Sequence, residues 1–199
     1  TLFALLAVYL TIRAWTDRAI LALAAGTLVK WVPAILGLPL GVYLWRTARS
    51  RSALVFSALT GLVGAAVLAA AAFAPVWAGE TTFLGLVESG TPGPWATLPG
   101  TFYRFLSERV PSADAALIGS LVPAGLFLVY LVVQSWRIRG PRTLLLATGF
   151  IAVAYLLLAR GLYYPWYAIL PIALLALTLV ATLALSACSS KNPPATWAK

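Results

Sequence analysis

The run from Ala53 to Ala78, ALVFSALTGLVGAAVLAAAAFAPVWA, carries no ionisable side chain over 26 residues. As a helix it would be about 39 Å long, more than the roughly 30 Å of a bilayer's hydrocarbon core. A helix that is apolar on every side needs lipid or the deep core of a large protein. A chain of 199 residues has no such core to spare. Similar runs follow at Ala115–Trp136, Thr143–Ala159 and Tyr167–Ala187. Lipid cannot satisfy backbone N–H and C=O groups, so spans of this kind must be helical. The expected fold class is all-α, a polytopic transmembrane helical bundle over residues 1–187. Composition agrees: 62% of residues are hydrophobic and 10% charged, against about 45–50% and 25% in soluble domains.

The polar stretches between the spans are RTARSRS (Arg46–Ser52), a loop over residues 79–114, RIRGPR (Arg137–Arg142) and RGLYYPW (Arg160–Trp166). The polar, proline-containing residues 188–199 read as a disordered cytoplasmic tail. At the other end, Thr1–Ile12 would make only about 18 Å of helix before Arg13. The expectation is that the sequence opens inside a transmembrane helix and is the C-terminal part of a larger protein. There is one cysteine, Cys188, and no histidine. Internal disulfides, Ser-His-Asp chemistry and the usual zinc sites are therefore excluded, and neither a metal nor a cofactor is expected.

Ala19–Trp45 is the exception to the pattern. Its 27 residues are too many for one upright crossing and too few for two. Pro33 and Pro39 interrupt it. It is either one tilted span or a short re-entrant helical hairpin turning near Lys30–Pro33. Loop charge decides between them. With the hairpin, Arg13, Arg18, Arg46, Arg49, Arg51, Arg137, Arg139, Arg142, Lys191 and Lys199 share one side, which leaves Arg104, Arg109 and Arg160 opposite and Lys30 at the turn. A single span would move Arg13 and Arg18 across and blur that asymmetry. The hairpin is expected, in an integral cell (inner) membrane protein whose basic loops are cytoplasmic. Basic loops on an anionic leaflet account for the net charge of +9 without any nucleic acid.

Three groups of residues could carry chemistry. Lys30 stands alone in an uncharged run, GTLVKWVPAILGLPLGVYLW. An ammonium there either snorkels to the headgroups or neutralises an anion. Arg160 precedes four aromatics, Tyr163, Tyr164, Trp166 and Tyr167. They form either an interfacial belt or a lip that accepts a sugar or lipid. In the outer loop, Leu98, Phe102, Phe105, Leu106 and Val110 recur at helical spacing, as in an amphipathic helix lying on the membrane. That helix carries Arg104 and Arg109. Glu80 and Glu88 are candidate bases, and nothing in their spacing selects one.

In order, LVKWVPAILGLPL, APVWAGETTFLGL with TFYRFL, and YYPWYAILPIALLAL resemble the later part of the GT-C type of membrane glycosyltransferases, mannosyltransferase-like enzymes that use polyprenyl-phosphate sugars. The resemblance covers about residues 1–187. It implies transfer of a hexose such as mannose from a polyprenyl-phosphate donor to a glycan or lipid acceptor on the outer face. Lys30 and Arg160 would then hold the lipid phosphate, and Trp31, Arg104, Tyr163, Tyr164, Trp166 and Tyr167 would line the substrate. In that family the catalytic carboxylate usually lies in the first outer loop, so it is expected upstream of Thr1. Two other readings stay open: a transporter or lipid flippase, whose helices are also broken around midplane charges, and a non-catalytic membrane scaffold in which Lys30 only snorkels.

Overall fold

The computed structural model describes residues 2–30, 32–77, 79, 98–159 and 169–191. Among the described residues there is no strand. The helices are α1 (Leu2–Ile12), α2 (Thr16–Val29), α3 (Gly37–Thr47), α4 (Arg51–Phe73), α5 (Leu98–Ser107), α6 (Ser112–Trp136), α7 (Pro141–Ala154) and α8 (Ile169–Lys191). A 3-10 turn, Val32–Leu36, leads into α3, and a π-helical turn, Tyr155–Ala159, ends α7.

Three helical stretches are long and apolar enough to cross a membrane: Arg51–Val76, Leu117–Trp136 and Pro141–Leu158. The fourth expected span forms α8, which continues to Lys191. Pro123 lies inside α6 without ending it. Burial separates the three stretches. Only 6% of the α4 window is buried within the protein, against 39% for α7, although their mean hydropathies are 2.2 and 1.7. α4 therefore stands at the perimeter with its apolar surface outward, and α7 runs through the interior. A continuous apolar face of that length is stable against lipid and a liability in water.

Small residues set the close contacts. Ala4, Ala7, Val8 and Thr11 repeat at helical spacing and form the buried face of α1, which packs on Ala19, Ala22 and Gly26 of α2. A Cβ on Gly26 would lie 3.0 Å from Phe3 Cβ, so α1 and α2 run antiparallel at close range. Gly61 and Gly64 of α4 meet Asp17, Ile20 and Leu21, which makes α4 parallel to α2. Gly149 of α7 meets Leu174 and Leu175 of antiparallel α8. The core then closes around Leu36, Leu40, Phe127, Leu144, Ile151 and Leu174.

α2 ends at Val29. Lys30 is extended, with φ −162° and ψ 133°, and its N–H still bonds to Gly26 O at 2.9 Å. Val32, Pro33 and Leu36 are buried, and the 3-10 turn packs on α1, α2 and α7. Pro39 costs no hydrogen bond because it lies in the first turn of α3. From there α3 runs back beside α2: Leu23 faces Gly37, and Thr16 shares a pocket with Leu44 and Ala48.

These directions collect eight arginines at one end of the bundle: Arg13, Arg18, Arg46, Arg49, Arg51, Arg137, Arg139 and Arg142. They follow the ends of α1, α3 and α6 or open α2, α4 and α7. Three tryptophans share that end. The Arg13 and Arg18 guanidiniums lie 5.8 and 4.8 Å from the Trp15 ring, Arg51 lies 4.1 Å from Trp45, and Arg46 lies 5.4 Å from Trp136. Arg46 also donates to the carbonyls of Trp136 and Ile138 at 2.7 and 2.8 Å, fastening α3 to the end of α6. Arg51 donates to the Trp45 carbonyl and closes α3.

Candidate functional site

At the opposite end, the break at Lys30 sets two helix termini side by side. The C-terminus of α2 carries partial negative charge, and the start of the segment running from Val32 into α3 carries partial positive charge. The two dipoles oppose one another at Lys30. The residue is exposed.

The end of α7 points the same way, because α7 starts among the arginines. Its last turn widens to the π form at Tyr155–Ala159, immediately before Arg160. Such widened turns recur at functional sites. Phe127 of α6 braces the turn, its ring 5.6 Å from Tyr155 and edge-on at 65°. α5 packs on this turn and on α6, where a Cβ on Gly119 would lie 3.2 Å from Tyr103 Cβ. Arg104, exposed on the last turn of α5, is therefore at the Lys30 end of the bundle. Segments far apart in sequence, around residues 30, 104 and 159, converge on one end.

Arg160, Trp31, Tyr163, Tyr164, Trp166 and Tyr167 lie outside the described residues, as do Glu80 and Glu88. The expected amphipathic helix forms as α5 and ends at Ser107, short of Val110. Tyr103 packs against Gly119 of α6, and Phe102 and Leu106 of the apolar stripe are half-buried, as Tyr103 is. Phe105 is exposed, with the Arg109 guanidinium 3.8 Å from its ring centroid, and Arg109 also donates to Phe105 O at 3.0 Å. Arg109 lies 3.8 Å from Glu108 as well, and is thus occupied within its own loop. No local signal marks the Arg46 bonds, which join residues 90 and 92 positions apart.

Comparison with family models, with curated proteins and with solved structures finds no match. The likeness to membrane glycosyltransferases therefore rests on this chain's own residues. Among the described residues there is no cluster of His, Cys, Asp or Glu able to hold a metal ion.

Proposed function

We propose that this chain is the C-terminal module of an integral membrane glycosyltransferase that moves a hexose, such as mannose, from a polyprenyl-phosphate donor to a glycan or lipid acceptor. In this reading the arginine-rich end faces the cytoplasm, the chain crosses the cell (inner) membrane several times, and α2 and α3 form a re-entrant hairpin opening to the outer face. The observation that carries it is the break at Lys30: a cation is exposed where α2 stops, at the end where α5 and the last turn of α7 also converge. Lys30, with Arg160 from the segment after that turn, would neutralise the phosphate as the sugar departs. Charge developing on a leaving group in a low-dielectric site is where a fixed cation acts most strongly. Arg104 and the aromatics Trp31, Tyr163, Tyr164, Trp166 and Tyr167 would flank the sugar.

Binding of a polyprenyl phosphate to the chain in nanodiscs tests the reading directly. Lys30→Ala should weaken it about tenfold, equivalent to about 1.4 kcal/mol, and Lys30→Arg should restore most of it. Unchanged binding in Lys30→Ala would leave a lysine that only snorkels, and the donor site would be lost.

A further inference from the structure

A second site stands at the arginine-rich end. α2, α3 and the start of α4 splay around a cavity of about 410 Å³ whose walls include Ile20, Leu23, Leu40, Gly41, Ala58 and Leu62. That volume falls within the roughly 300–1,000 Å³ typical of ligand pockets. Its lining is almost wholly apolar. The exceptions are Thr11 and Thr16, and the hydroxyl of Thr11, which is fully buried, has no hydrogen-bond partner among the described residues. Thr27, Thr47, Thr60, Thr148 and Thr178 each donate to the carbonyl four residues back, and Thr11 does not.

Through Thr16, Leu44 and Leu54 the cavity adjoins a polar mouth formed by Thr47, Arg49, Ser50 and Ser57. The N-terminus of α4 opens there, and Arg49 has no partner among the described residues. Cation and helix terminus both favour an anion. Left empty, the walls would forfeit dispersion contacts. From Thr16 to Leu23 the cavity runs about 11 Å along α2, less than half of the roughly 30 Å hydrocarbon core.

We infer that this cavity holds one acyl chain of an anionic glycerophospholipid from the leaflet at the arginine-rich end. The phosphate sits in the mouth against Arg49 and the start of α4. This site depends on the membrane placement of the bundle and not on sugar transfer.

Gly41 gives the cleanest test. A Cβ there meets no atom within 4 Å, and Gly41 lines the cavity, so Gly41→Leu adds bulk at its wall and gains helix propensity. The full chain is equilibrated with mixed phosphatidylglycerol and phosphatidylcholine vesicles, extracted, and weighed by native mass spectrometry. The parent should keep one phosphatidylglycerol in preference to phosphatidylcholine, and Gly41→Leu should lose it. Arg49→Ala should reduce the preference roughly fivefold, the factor for one basic group at an anionic surface. Excess inorganic phosphate should not displace the lipid. Ala58→Phe blocks the cavity from the α4 wall and decides the matter should Gly41→Leu fail to fold. Equal retention of the two lipids by the parent would overturn the inference. So would full retention in the blocked variants, or displacement by phosphate, which would mark a bare anion site.

Discussion

Replacing Arg46 probes how the two halves of the bundle are joined. Its guanidinium makes one part-buried bond to Ile138 O, one exposed bond to Trp136 O and a ring contact with Trp136. The part-buried charged bond contributes about 1.5–3 kcal/mol. The ring contact, at a solvent-exposed site, adds about 0.5–1 kcal/mol. The exposed bond adds little, because water replaces it. Arg46→Ala should therefore cost about 2–4 kcal/mol, and Arg46→Lys about half of that, since an ammonium can reach one carbonyl but lacks the planar fork. Reversible unfolding in mixed detergent and dodecyl sulfate micelles measures the loss. Hydrogen exchange should at the same time accelerate in the last turn of α6, whose carbonyls Arg46 closes. A loss below about 0.5 kcal/mol, the size of an ordinary surface substitution, with exchange unchanged, would refute the clamp.

Two alanine substitutions at glycine should act in opposite directions in the same assay. Gly61→Ala presses a methyl to 3.0 Å from the Asp17 Cα and 3.1 Å from its carbonyl oxygen, which is backbone and cannot swing aside; it should cost about 1–3 kcal/mol. Gly41→Ala meets open space and should stabilise by about 1 kcal/mol. Ala14 holds φ 57° between α1 and α2, so Ala14→Gly should gain up to about 1 kcal/mol. With Cys188 changed to Ser, single cysteines placed at Arg139 and Arg104 should react with an impermeant maleimide from opposite faces of the membrane; labelling from the same face would contradict the bundle's polarity.

The long helices and the break were legible because both follow from local chemistry. Uncharged runs must be helical in lipid, and Pro33 with Lys30 ends α2 whatever lies around it. α2 and α3 pack antiparallel, an arrangement compatible with the hairpin that charge asymmetry favoured. Tertiary partners were not legible. Nothing near Arg46 announces a carbonyl 92 residues away, and Thr11 looks like any helical threonine until its missing bond is seen beside a cavity. The apolar pattern of α5 predicted a helix correctly, but the packing of Tyr103 on Gly119 was not legible, because only a three-dimensional neighbour reveals it.

The lengths of the helices carry a consequence for biosynthesis. α2 and α3 have 14 and 11 residues, each short of the roughly 20 needed to cross a bilayer alone. Yet they supply much of the buried heart of the bundle. α4, α6 and α7 can leave the translocon as independent stakes, whereas the short segments gain a stable home only once those stakes stand around them. Assembly of this region must then run partly backwards along the chain, with the earlier-made helices settling after the later ones.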